Sequence, residues 1–309
     1  MTLRDKLIRL TREFLYLRQA RAVLDTPPIA PKGDGVILFS MIGTRVLLPY
    51  LVAIKSLHAR LGRGRIVILD DGTLTASDKA HLAHHLGNPE LHDFAEVDVG
   101  PCPRYCVWER LLLLLDLRRD HYVVQVDSDT VTLGPVPEVL AAIDAGRDFT
   151  LMGEASARWL PIDEFVKTIP GLDPFSPGTH VQGAAEEILP QTSGALPQPA
   201  HYVRACAGFV GFKPGGLGRD VAEQYSRDVE AVIGMDSWKR WGSEQVMSNV
   251  IVANEGEPVL LPYARYLNFW NEPLPADVAF AHFIGTYRFH RGAYVEATRR
   301  AIAFLKNRS

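Results

Sequence analysis

Cysteine, net charge and long apolar runs are all scarce in this 309-residue chain, and each shortage removes a class of protein. Three cysteines, Cys102, Cys106 and Cys206, are too few for a disulfide framework, and the pair four apart has no second pair to complete a zinc site. Reduced thiols in the cytoplasm are the simplest expectation. A formal net charge of −3 gives no global basic field for a nucleic acid. No stretch approaches the roughly 20 apolar residues of a membrane span. The leucine run at 111–115 is bracketed by Arg110 and Asp116 and reads as a buried helix. Charges interrupt the apolar positions of the N-terminus throughout, unlike a secretory signal. No internal repeat or low-complexity tract occurs. What remains is a soluble globular chain, 47% apolar, with enough apolar mass for one large or two modest domains.

Residues 3–22 carry Leu3, Leu7, Leu10, Phe14 and Leu17 at helical spacing, among Arg4, Lys6, Arg9, Arg12, Arg18 and Arg21. Two readings stay open: a helix packed on the body, or an interfacial helix against anionic lipid. Residues 26–35, rich in Pro and Gly, read as a linker. Beyond it, apolar runs at 36–40, 65–70, around 94–99, at the stretch ending in Val126, at 148–152 and at 207–212 read as strands. Helical patterns fall at about 47–61, in the Ala- and His-rich segment after Gly72, at 108–117, 220–232 and 243–252. This alternation predicts an α/β fold with a parallel sheet. Residues 155–200 hold no sustained period and read as a loop-rich insertion.

The most informative segment follows Val126. Asp127 and Asp129 end an apolar, β-branched strand, and carboxylates at i and i+2 project to the same side of an extended chain. Two hard oxygen donors at a strand end can share a divalent cation, and such a cation suits a diphosphate. The bland reading is a solvated turn, where Asp and Ser are common. Ligands of parallel α/β sheets bind at the carboxyl ends of strands, where these carboxylates lie.

Further pieces fall around this D-x-D in a telling order. Arg104-Tyr105 and Arg110 precede it; Cys206-Ala207-Gly208, Glu244-Gln245-Val246-Met247-Ser248-Asn249 and His282-Phe-Ile-Gly285-Thr-Tyr-Arg288 follow. Together, over roughly residues 35–290, they resemble a nucleotide-sugar-dependent glycosyltransferase of the GT-A type. The pattern is most like family 8, the retaining group that includes glycogenin and bacterial lipopolysaccharide galactosyltransferases. The resemblance implies a GT-A (Rossmann-like) domain over 35–309, preceded by a helix and linker over 1–34, with 155–200 as an acceptor loop or lid. It implies a hexosyltransferase that moves sugar from a nucleotide diphosphate to a hydroxyl of a glycan or glycolipid, with retention, in cell-surface polysaccharide synthesis.

By the same resemblance, Asp127, Asp129 and His282 would hold Mn²⁺, with Mg²⁺ as the alternative. Mixed oxygen and imidazole ligands suit the former. Ser40, Met41, Arg110, Ser128, Ala207, Gly208, Gly285 and Arg288 would contact the donor. Arg288 stands where the family has Lys and could grip the diphosphate in two places. Glu244 would bind sugar hydroxyls and Gln245 would face the anomeric carbon. Helical spacing places Gln245 and Asn249 on one face; the bland reading is an exposed helix start. The expected location is cytoplasmic, peripheral at the inner membrane face if residues 1–22 bind lipid.

The departures matter as well. Val246 replaces an acid of the family motif; if that acid were an obligatory nucleophile this chain would lack it, and a front-face attack stays open. Cys206 replaces an amide side chain. Ser40-Met-Ile-Gly-Thr-Arg45 has no base-reading acid, so UDP is only a default. The alternative is a degenerate sugar- or nucleotide-binding module of the same fold. A phosphatase of the haloacid dehalogenase type is the weaker rival, because Leu69 sits where its nucleophilic Asp belongs. Sugar nucleotidyltransferases need a Gly-rich arginine loop, and residues 40–45 have one Gly. His81, His84 and His85 match ligand spacing, but no carboxylate or Cys motif completes a set. Trp238, Trp241, Trp270 and Tyr266 suit either sugar stacking or core packing.

Overall fold

The computed structural model describes residues 3–176 and 178–308; the side chains of residues 3–8 and 286 lie outside that description. In chain order, the strands are β1 (Val36–Ile42), β2 (Arg65–Asp70), β3 (Glu90–Asp93), β4 (Tyr122–Val126), β5 (Thr130–Thr132) and β6 (Phe149–Met152). They continue with β7 (Leu160–Pro161), β8 (His201–Tyr202), β9 (Ala205–Phe212), β10 (Val259–Leu261), β11 (Tyr266–Asn268) and β12 (Phe280–His282). The α-helices are α1 (Leu3–Ala20), α2 (Leu47–Leu61), α3 (Ala76–Leu86), α4 (Trp108–Leu117), α5 (Pro137–Asp144) and α6 (Ile162–Phe165). After them come α7 (Val181–Glu187), α8 (Leu189–Thr192), α9 (Arg219–Ile233), α10 (Met235–Trp238), α11 (Ser243–Ala253) and α12 (Ala293–Lys306).

Seven strands form the central sheet in the order β10-β6-β9-β4-β1-β2-β3. The pairs β1–β2, β1–β4, β2–β3 and β6–β10 are parallel, and only β9 runs against its neighbours β4 and β6. The strands bury both faces, and period two sorts their side chains between two cores. Leu38, Ile66, Ile68, Val124 and Val126 pack under α2, α12 and the end of α1. Ile37, Phe39, Val67, Leu69 and Val123 pack under α4, α9 and α11. Helix α2 is buried along most of its length because the sheet covers one side and α1 and α12 the other. Its Lys55 is enclosed and donates to the Thr26 carbonyl, with His85 Nδ1 3.1 Å away.

One element departs from the periodic reading. The third strand lies at Glu90–Asp93, while Phe94–Glu96 is a short 3₁₀ turn. Val97 and Val99 do point inward, as their alternation suggests, but no neighbouring strand pairs with that stretch. Within residues 155–200 loops alternate with the short elements α6, α7, α8 and β7, the last paired with β8, and Ile162, Phe165, Val181, Ala184 and Leu189 are buried in the second core. Such short pieces, broken by Pro and Gly, leave no sustained period.

A small second sheet, ordered β11-β12-β5, extends the main one at the carboxyl end of β4. Strand β12 runs antiparallel to β5, pairing His282 with Thr130, and parallel to β11, pairing His282 with Asn268. The acidic end of β4 and the distant histidine are thereby brought side by side.

Candidate active site

The carboxyl ends of β1 and β4, the start of β9, helix α11 and the loop after β12 surround a cleft of about 1000 Å³. Asp127 and Asp129 leave β4 through a tight turn, closed by the Thr130 hydroxyl donating to the Asp127 carbonyl at 2.9 Å. The backbone N–H of Asp127 donates to Gly208 O at 2.9 Å, fixing β4 against β9 at the cleft floor.

His282 joins the two acids across the small sheet. Its Nε2 is 3.2 Å from Asp129 Oδ1 and 3.9 Å from Asp127 Oδ2. Asp127, Asp129 and His282 each offer a ligand atom within 4.8 Å of the others, and among the described residues no other such group occurs. Two hard oxygens and one imidazole fit Mn²⁺ and, less well, Mg²⁺.

Cations balance the buried acids. Arg110, at the start of α4, reaches Asp127 Oδ1 at 2.5 Å and Glu244 Oε2 at 3.1 Å. Burial works against its charge, but Glu244 and Asp127 outweigh burial and hold the guanidinium protonated. Arg288 Nη2 contacts Asp129 Oδ2, and its Nε donates to the Phe283 carbonyl at 3.0 Å. Burial alone would raise the Asp129 carboxyl; His282 and Arg288 beside it outweigh burial and hold it at about 2. Burial likewise disfavours the His282 imidazolium, yet Cys206 and Asp129 lift it well above its ordinary value.

The far edge of His282 is equally constrained. Its Nδ1 lies 3.0 Å from Asn268 Oδ1 and 3.3 Å from Cys206 Sγ. The Asn268 amide is itself pinned, because Nδ2 donates to the carbonyls of Met152 at 2.8 Å and Gly153 at 3.3 Å. Its oxygen must therefore face the imidazole, so Nδ1 carries a hydrogen and Nε2 is the nitrogen turned toward the acids.

Opposite the acids, Gln245 on α11 accepts from the Ala207 N–H at 3.4 Å and donates to Gln182 Oε1 at 3.0 Å. Gln182 in turn donates to Glu186 at 3.0 Å, and Glu186 is paired with Arg204. Helix α7, inside residues 155–200, thus supplies one wall. Asn249 does not share the cleft with Gln245; its amide donates to Ala205 O under β9. Val246 is buried in the core and adds no acid.

Met41, Arg110, Ser128, Ala207, Gly208, Glu244, Gln245, Gly285 and Arg288 all line the cleft with the acidic pair and His282. Ser40 does not: it lies below the floor, donating its hydroxyl to Val126 O at 2.7 Å. A Cβ on Gly285 would meet nothing within 4 Å, so the space beside it opens into the cleft. Arg104 stays outside, at Val97 O. The aromatic residues divide. Trp238 and Tyr266 are core residues, whereas Trp241 and Trp270, 75% and 52% exposed, stand on the cleft wall. His85 is spent on Lys55, and neither His81 nor His84 joins a ligand group.

Asn268, Gln182, Glu186 and Arg204 also belong to the site, and no sequence motif marks them. Asn268 lies in a short run with few β-branched residues, and only its pairing with β12 makes the amide meaningful.

No protein-family model matches the chain, and no curated protein matches it. Solved structures do. The bifunctional glycosyltransferase WbbM, in its apo form, superposes with a TM-score of 0.51 at 14% identity, over 89% of this chain and 51% of that one. The glycosyltransferase GlyE of Streptococcus pneumoniae TIGR4 gives 0.50 at 10% identity, over 90% of this chain and 63% of that one. The chain therefore spans between half and two thirds of the length of these relatives in structure. Their likeness, with the mostly parallel sheet and the acids at the end of β4, shows that this chain has the GT-A fold.

Proposed function

We propose that the cleft binds a nucleotide-sugar donor through a divalent cation and transfers the sugar to a hydroxyl acceptor. The observation that supports this most is the convergence of Asp127, Asp129 and His282 at one end of a GT-A sheet, inside a cleft of about 1000 Å³. In this reading those three residues would hold Mn²⁺, or Mg²⁺, which would supply positive charge against the departing diphosphate. Arg288, beside Asp129, would grip the diphosphate through its planar fork. Ser128, Met41, Ala207, Gly208 and Gly285 border the donor.

Glu244, kept in place by Arg110, accepts hydrogen bonds from sugar hydroxyls. Gln245, held between Ala207 and Gln182, faces the anomeric carbon. The bond from that carbon to the diphosphate oxygen breaks, a bond to the acceptor oxygen forms, and the acceptor proton passes to the leaving phosphate. Val246 provides no nucleophile, which favours attack on the face the diphosphate leaves and so retention, as in family 8. Trp241 and Trp270 offer flat apolar faces for the rings of a glycan or glycolipid acceptor, and α7 acts as the acceptor-side wall or lid. The reading places the protein in the cytoplasm, making a cell-surface polysaccharide.

The test is release of nucleotide from UDP-, GDP-, CMP- and dTDP-sugars, with Mn²⁺ or with EDTA. Turnover of one donor that stops with EDTA is the expected result. Metal-dependent binding without turnover, in the presence of glycan acceptors, would instead indicate the degenerate binding module.

A further inference from the structure

We infer that α1 is a membrane-surface anchor that lays the cleft mouth against an anionic bilayer, and that the acceptor is therefore lipid-linked. The choice of acceptor rests on the sugar-transfer reading above; the surface itself does not.

Over its described side chains, residues 9–20, helix α1 is enclosed only towards its end. Tyr16 and Ala20 are enclosed, with the Tyr16 ring 4.1 Å from Tyr294 and 5.6 Å from Phe289. Three large apolar side chains on the same helix are left out of that contact: Leu10, Phe14 and Leu15 are 50%, 66% and 54% exposed. A single exposed leucine is ordinary, but three within six residues on one helix are costly to leave in water. Arg9, Arg12 and Arg18 are exposed around them. An apolar stripe flanked by arginines matches the interface of an anionic bilayer, where apolar groups enter the acyl boundary and guanidinium groups meet phosphates. A second copy of this chain would bring like charges together around the same stripe. Among the described residues no helix is long and apolar enough to cross a membrane, so attachment would be peripheral.

The anchor is tied directly to the cleft. Glu13 of α1 pairs with Arg45 at 2.8 Å, and Arg45 lies between Gly43 and Val46, which line the cleft. Tyr16 packs on Phe289, the residue after Arg288. A bilayer touching Phe14 would therefore sit beside the cleft rim formed by Gly43, Val46 and Arg288.

Sedimentation of the full chain with phosphatidylcholine vesicles, with and without phosphatidylglycerol, tests this. The wild type should pellet with the anionic vesicles only, and less in high salt. Leu10→Ser/Phe14→Ser/Leu15→Ser should lower the bound fraction about ten-fold, and Arg9→Gln/Arg12→Gln/Arg18→Gln should erase the preference for anionic lipid. Both variants alter exposed side chains and should keep the wild-type melting temperature. A wild type that ignores anionic vesicles, or a serine variant that pellets equally well, overturns the inference. So does a wild-type dimer that the serine variant converts to a monomer, since a second copy would then cover the stripe. Nucleotide binding measured in the same samples separates the two claims: vesicle binding without it keeps the anchor and removes the lipid-linked acceptor.

Discussion

Gly208 and His282 face each other so closely that a Cβ on Gly208 would stand 2.5 Å from Cε1 of the imidazole and 2.7 Å from Nδ1. Glycine is needed here for room, because the backbone of β9 passes under the ring. Gly208→Ala must push the ring off the two carboxylates. We expect Mn²⁺ affinity to fall about 10–100-fold, measured by calorimetric titration, with a stability loss of about 1–3 kcal/mol from overpacking. Unchanged affinity would mean that His282 is no ligand.

Asn268 acts on the other edge of the same ring. Asn268→Leu removes the acceptor that holds the Nδ1 hydrogen, and metal affinity should again fall about 10–100-fold. Asn268→Asp keeps an acceptor for that hydrogen and should bind metal more tightly than the leucine variant. Equal affinities in the two variants would reduce Asn268 to a packing role.

The Arg110 bridge predicts a stability pattern. Glu244 is enclosed and Arg110 is its charged partner. Arg110→Met strands that carboxylate and should cost about 3–5 kcal/mol in urea denaturation. Arg110→Met with Glu244→Gln removes the stranded charge and should recover part of the loss. If the double variant is no more stable than the single one, the pair is not what holds α4 to α11.

Asp148 gives a pH dependence away from the cleft. Burial, with Glu255 beside it, raises its carboxyl to about 7, while Oδ1 accepts the Lys213 N–H at 2.7 Å. The folded state therefore holds this proton more tightly than the unfolded chain. The resulting stability is fully present below the ordinary carboxylate range and is lost as pH rises through about 7. Asp148→Asn keeps the acceptor without the charge. It should match the wild type near about pH 4 and exceed it by about 1–3 kcal/mol near about pH 8. Parallel stability profiles of the two proteins would contradict this.

Much of the fold and site is legible in the sequence because it is local. The run ending in Val126 needs only β-branched residues and period two, and the D-x-D and the spacing from His282 to Arg288 carry the candidate metal group. The small sheet is not legible. Strands β5, β11 and β12 are three residues each, and Pro273 and Pro275 break the chain between the last two. Asn268 and Gln182 gain meaning only from partners at positions 282 and 245, which no window of sequence connects. The N-terminal stripe reads as one face, yet the helix packs through Tyr16 and Ala20 and turns Leu10 and Phe14 outward. Leu17 is half-buried between the two.

The most direct test is a thermal-shift panel of UDP, GDP, CMP and dTDP nucleotides and their sugars on wild type and Asp129→Ala, each with Mn²⁺ or EDTA. A ligand that binds only the folded protein raises its melting temperature. The account predicts a rise for one nucleotide class that needs Mn²⁺, vanishes with EDTA and is absent in a folded Asp129→Ala. A rise that survives EDTA or the substitution would contradict it, as would no rise with any nucleotide.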